Sequence, residues 1–254
     1  MNLNPMEQFA IKPVLIQDPL FHIGGHPIYF TNQALLMVIV AVTSALFLTL
    51  AVNPNRLVPT RGQSMAEMSY EFVANMIHSA TGEDGLKFFP FVFTLFMFVL
   101  CCNFFGMVPG SFTVTSQIAV TLALASLVML VVIVTGIAKH GWRFITLFIP
   151  KAPIYILPLL FLIEIISFCS RPISLSVRLF ANMLAGHTLL AVFAGFVVSL
   201  GAAGGIFTGL AIAPLLLMVG IMLLELLVAF LQAYVFAILT CIYLNEALHL
   251  HGDH

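Results

Sequence analysis

Five long apolar segments fix what this chain can fold into. They run over 31–52, 88–108, 115–138, about 153–200 and about 206–248. The first three match the ~20 residues that cross a hydrocarbon core of about 30 Å. The last two each exceed forty residues. At about 1.5 Å per residue, a continuous helix of that length spans roughly 60 Å, so it must tilt strongly, break, or project beyond a bilayer. Pro153, Pro158, Pro172 and Pro214 are the expected break points. Composition agrees: 61% of residues are hydrophobic and 7% charged, whereas a soluble domain carries about 25% charged residues. The sequence therefore reads as an all-α integral membrane protein, one polytopic domain over 1–254.

The remaining segments fall outside the apolar spans. Residues 1–30 contain Pro5, Pro13, Pro19 and Pro27 and lack a basic start leading into an apolar run. They are expected to form a polar segment outside the membrane, neither a cleaved leader nor an Arg-rich organelle presequence. Within 62–81, Met65, Met68, Phe72, Met76 and Ile77 recur at helical spacing, with Glu67, Glu71, Asn75 and His78 elsewhere. This predicts an amphipathic helix on the membrane surface or against a partner, with a plain extramembrane helix as the alternative. Arg56, Arg61 and Lys87 follow the first span, and Lys139, Arg143 and Lys151 follow the third. The opposite side carries only Lys12. This bias puts the N-terminus outside and the C-terminus in the cytoplasm.

Several function classes are disfavoured. The formal net charge is -1, so nothing points to nucleic acid. Cys101, Cys102, Cys169 and Cys241 form no C-x-x-C pair and lie in apolar sequence; they read as small core residues, without a disulfide framework or a metal site. No phosphate-binding G-x-x-x-x-G-K-[ST] and no H-E-x-x-H is present, so no catalytic residue, cofactor or metal is assigned.

The Asp, Glu, Lys and Arg residues inside the last two apolar regions, short of the tail, are Glu164, Arg171, Arg178 and Glu225. Arg178 is the most telling. A guanidinium cannot escape burial by deprotonating, and its cost at membrane depth is roughly 2.5–3.5 kcal/mol on insertion scales. Glu164, Arg171 and Arg178 recur at intervals of seven, so on a continuous helix they share a stripe with Ser174 and Asn182. Glu225 and Gln232 are likewise seven apart. Arg171 either snorkels to the inner interface or acts in a mechanism, and Glu164 either pairs with it or acts alongside.

Gly201-Ala-Ala-Gly-Gly205 is the expected turn between the two long helices. In an antiparallel pair centred there, Arg178 faces Gln232 and His187 lies near Glu225. The fold expected is thus five hydrophobic helical regions plus an amphipathic surface helix, the last two long, strongly tilted and paired as an antiparallel hairpin.

Ser174-Leu-Ser-Val-Arg-Leu-Phe-Ala-Asn-Met-Leu-Ala-Gly-His187, together with Leu231-Gln-Ala-Tyr-Val-Phe-Ala-Ile-Leu-Thr-Cys-Ile-Tyr-Leu244, resembles subunit a of F-type ATP synthases. Phe89-Pro90, Met107-Val-Pro109 and Ser111-Phe-Thr-Val-Thr-Ser116 extend the resemblance over nearly the whole chain. The resemblance implies a non-catalytic stator subunit that forms two offset proton half-channels against a ring of c subunits. It puts the essential arginine at Arg178 and polar path groups at Glu164, Asn182, His187, Glu225 and Gln232, with Ser174 and Arg171 secondary. Many bacterial members carry an acid where this chain has His187 and a histidine where it has Glu225; the exchanged arrangement here is like that of mitochondrial and alphaproteobacterial members. Implied partners are the c ring, b-type peripheral stalk subunits, the rest of the complex and the lipid bilayer. The implied location is a bacterial inner membrane, with the mitochondrial inner membrane as the alternative.

Two rival classes remain. A secondary ion transporter would usually show internal repeats around a midplane site, and no repeat is visible; another proton-conducting membrane protein stays open beside it. A b-type haem protein needs paired histidines on spans, and only His187 lies deep in one.

Overall fold

The computed structural model describes residues 21–23, 26–51, 59–108, 111–141 and 155–248. Two short strands, β1 (Phe21–Ile23) and β2 (His26–Ile28), pair antiparallel with Phe21 opposite Ile28. Their sequence signal is slight: two short runs separated by Gly24-Gly25. Helices dominate the rest. They are α1 (Asn32–Ala51), α2 (Arg61–Thr81), α3 (Phe89–Gly106), α4 (Ile118–His140), α5 (Leu157–Ala203), α6 (Ile206–Leu210) and α7 (Ile212–Leu248). Tight 3-10 turns at Glu83–Phe88 and Val114–Ser116 lead into α3 and α4. Five helical stretches are long and apolar enough to cross a membrane: Asn32–Ala51, Glu83–Gly106, Ile118–His140, Leu157–Ala203 and Thr208–Leu248. The all-helical membrane class expected from the sequence stands.

Local chemistry explains where these helices start and stop. Thr60 caps α2, its hydroxyl accepting from the Gln63 N–H at 3.3 Å, which satisfies one of the helix's free donors. Gly82, at φ +66, ends α2 in a conformation that side chains with a Cβ avoid. The prolines act by position. Pro158 and Pro214 sit in the first turns of α5 and α7, where a missing N–H costs nothing because the first four are unpaired anyway. In a continuous helix Pro214 would leave the Leu210 carbonyl without its donor. The expected long helix over 206–248 therefore breaks at Ala211, between α6 and α7. Pro172, expected as a break point, lies inside α5, which runs unbroken for 47 residues. Pro153 lies outside the described residues. The expected glycine turn is shorter than anticipated, because α5 continues through Ala203 and only Gly204 (φ +70) and Gly205 (φ +60) leave the helix.

The apolar residues of α2 divide between the chain's own core and its exterior. Ala66, Val73, Met76 and Ile77 are buried, whereas Met65, Met68 and Phe72 are exposed. Hydrophobicity picks out the large side chains, but close packing selects those that fit. Tyr70 instead packs its ring 4.4 Å from Phe89.

The chain divides into two compact units. Among the described residues, the first takes those up to Ala45, Phe98–Gln117 and Leu179–Gln232. Its core includes Val40, Val99, Cys102, Leu179, Met183 and Ala229. The second takes Leu46–Met97, Ile118–Arg178 and the residues from Ala233 onward. There α7 buries Ala233, Phe236, Ala237, Cys241 and Leu244 at three- and four-residue spacing, one helical stripe. All four cysteines carry free thiols.

Candidate functional site

In the first unit, α5 and α7 bring together residues about forty apart in sequence. His187 Nε2 stands 3.4 Å from Glu225 Oε1. Five residues earlier on α5, Asn182 Nδ2 donates to Gln232 Oε1 at 3.1 Å. As numbering rises on one helix it falls on the other, so these contacts run antiparallel. Gln232 and Glu225 are both 4% exposed, which removes them from bulk solvent. Glu225 fits because position 186 is glycine: a Cβ there would lie 2.8 Å from Glu225 Oε1. Neither Glu225 oxygen accepts a hydrogen bond within the chain, and Gln232 Nε2 donates none. Buried polar groups left so cost about 1–3 kcal/mol each, so this cluster subtracts from the stability of the chain on its own.

The connection from α3 to α4 completes the surroundings of His187. Thr113 is buried, and its Oγ1 lies 3.1 Å from His187 Nε2. The same hydroxyl donates to the Gly106 carbonyl at 3.3 Å. Asn103 on α3 is fully buried and donates to the Ala229 carbonyl of α7 at 3.0 Å. A cavity of about 290 Å³ is walled by Ser111, Thr113, His187, Met218, Met222 and Glu225, among others. A second, of about 230 Å³, is walled by Asn182, Gly186, Leu189, Ile221, Glu225 and Val228, among others. Glu225 belongs to both walls.

In the second unit, Arg171 is held from several sides. Its Nη1 donates to Glu246 Oε2, and its Nη2 lies 4.0 Å from Glu164 Oε1. The guanidinium also stacks 5.1 Å from the Tyr243 ring and 5.8 Å from that of Phe168. Of the two readings of Glu164, pairing with Arg171 is present only as the looser contact, and Glu246 makes the direct one. Ser176 of α5 and Thr121 of α4 share a hydrogen bond of 3.0 Å, both buried. Arg178 and Ser174, on the same helix, are exposed.

Sequence reasoning missed Thr113, Asn103, Gly186 and Glu246. For Glu246 a signal existed: it lies two heptads beyond Gln232 and three beyond Glu225, but it was read as part of the tail. Thr113 lay within the stretch Ser111-Phe-Thr-Val-Thr-Ser116 that carries the resemblance, but nothing there tied it to His187, 74 residues away.

A family model described as ATP synthase A chain matches residues 34–245. ATP synthase subunit a of Rhizobium rhizogenes is 57% identical over 249 residues, 98% of each chain. That of Agrobacterium fabrum is 56% identical over 252 residues, 99% of each chain. That of Afipia carboxidovorans is 56% identical over 247 residues, 97% of this chain and 98% of its own. The likeness first seen around Arg178 therefore extends from end to end at more than half identity, and this membrane protein belongs to the ATP synthase subunit a family.

Proposed function

We propose that the chain is the proton-carrying stator subunit of a bacterial inner-membrane F-type ATP synthase, with its N-terminus outside and its C-terminus in the cytoplasm. Its two long helices lie tilted, as a hairpin, against a rotating ring of c subunits, and b-type stalk subunits hold it still. Two half-channels, offset sideways, each reach the middle of the membrane from one side. Arg178 lies between them. Its fixed charge attracts an ionised ring carboxylate, favours loss of that carboxylate's proton, and blocks a direct leak. Gln232 is its neighbour in this reading. The driving energy is about 2.3 kcal/mol per charge per 100 mV.

The observation that carries the reading is the His187–Glu225 pair, 3.4 Å apart beside a cavity of about 290 Å³. Histidine is the side chain whose ordinary titration range lies closest to neutral pH, and a carboxylate within reach can receive its proton. These two serve the outer half-channel together with Asn182. Glu164, Arg171 and Ser174 belong to the path toward the other side. Arg178→Ala in membrane vesicles should abolish both ATP-driven pumping and proton-driven synthesis while the complex still assembles. Arg178→Lys should fail too, because lysine lacks the planar fork and can deprotonate. Pumping near the wild-type rate by Arg178→Ala would end the proposal.

A further inference from the structure

Thr113 stands outside the polar set drawn from the sequence, yet its hydroxyl touches the ring nitrogen on which the proton path depends. We infer that Thr113 is a positioning residue that reads and sets the protonation state of His187 Nε2. The inference rests on the reading above, in which His187 and Glu225 pass protons.

The argument is one of hydrogen-atom accounting. A threonine hydroxyl has a single proton to donate and lone pairs that accept. In the structure that proton goes to the Gly106 carbonyl, 3.3 Å away. While that bond holds, Thr113 Oγ1 can only accept from His187 Nε2, 3.1 Å away, which suits a ring that carries its hydrogen on Nε2; to a bare Nε2 the same hydroxyl donates instead. The same Nε2 lies 3.4 Å from Glu225 Oε1, which accepts no hydrogen bond in this geometry, so a small turn of the ring would carry the N–H from the hydroxyl that holds it to a carboxylate that can take it. When an imidazolium gives up this proton, the Nε2–H bond breaks and an O–H bond forms on Glu225. The ring is left neutral with its proton on Nδ1. Nε2 is now a bare acceptor, and the Thr113 hydroxyl swings from the Gly106 carbonyl to donate to it. One rotation about the Cβ–Oγ1 bond thus accompanies each transfer, and both ring states keep a partner at Nε2.

The site is built for this hydroxyl. Thr113 is 3% exposed, and the end of α3 makes room for it: a Cβ at Gly106 would lie 2.8 Å from Thr113 Cγ2. Among the described residues walling the cavity, α7 brings one titratable group to His187, Glu225. The end of α3 and the connection beyond it bring Met107, Ser111 and Thr113, none of them charged.

The test uses the intact complex in inverted vesicles, with ATP-driven acidification followed across pH and assembled subunit measured by immunoblot. Thr113→Val keeps the shape and removes the hydroxyl. It should slow pumping roughly three- to tenfold, the worth of one hydrogen bond, and move the pH of half-maximal rate. Thr113→Ser should restore both. Wild-type behaviour of Thr113→Val overturns the inference. So does a slowed variant whose pH curve is unchanged, since lost packing alone would give that. If Thr113→Val does not assemble, Gly106→Ala decides: it pushes Thr113 off His187 and should reproduce the loss and the moved pH curve, and wild-type behaviour there again overturns the inference. His187→Ala serves as the control. If that variant pumps normally, the proton-path reading itself is wrong; if it fails while Thr113→Val is normal, only the role of Thr113 is.

Discussion

At the scale of single residues, the informative contacts join groups far apart in sequence. His187 and Glu225 were legible as a pair because ionisable groups are few in these apolar helices and the glycine turn between them sets which positions meet. Replacing either with an apolar residue should slow proton translocation by at least about tenfold, as loss of a positioned acid–base group does. The exchange His187→Glu with Glu225→His should recover more activity than either single change. Residues in contact couple by about 0.5–3 kcal/mol; losses that simply add in the four-variant cycle would show that the two do not share a path. Thr113 and Asn103 were not legible. A hydroxyl or an amide in a membrane segment is too common to single out, and both owe their roles to a loop and a helix face that only folding brings beside α5 and α7.

At the scale of elements, the apolar segments translated directly into helices because hydrocarbon leaves no other way to satisfy the backbone. Their internal punctuation was harder to read. Pro172 and Pro214 look alike in sequence, yet one lies within a 47-residue helix and the other follows a break. Their surroundings differ: Leu175 and Ser176 just after Pro172 are buried, whereas Leu215, Leu216 and Leu217 after Pro214 are exposed. The pairing of Arg171 with Glu246 was hidden by treating Glu246 as tail, although α7 runs two residues past it. That pair joins α5 to α7 in the second unit and is largely shielded, with 16% and 31% side-chain exposure. Removing one partner by Arg171→Met or Glu246→Leu should lower the thermal stability of the detergent-solubilised subunit by about 1–3 kcal/mol, less than the roughly 3–5 of a fully buried pair. The double replacement should recover part of the loss. Equal stability of both single variants and wild type would mean the pair contributes nothing.

At the scale of the whole molecule, the long helices leave much apolar surface uncovered by the chain itself. In the most apolar window of Leu157–Ala203 6% is buried, and in that of Thr208–Leu248 11%, against 39% in Glu83–Gly106. Helix α1 is as bare, but it is uncharged and suits lipid, whereas α5 exposes Arg178 beside Val177. Under the proposed function, a photoreactive side chain at Val177 should crosslink to a small neighbouring membrane subunit in the intact complex, while one at the fully buried Leu179 should not. Labelling of lipid alone from Val177 would contradict a ring on that face. The exposed guanidinium has a further consequence for copies that never find their neighbours. Under the proposed function, a guanidinium facing hydrocarbon alone costs roughly 2.5–3.5 kcal/mol, and a ring carboxylate that pairs with it stabilises the folded, inserted chain by binding that state alone. On that reading a subunit left without its ring opens more readily than an assembled one, so the same charge would make spare copies the easier ones to degrade.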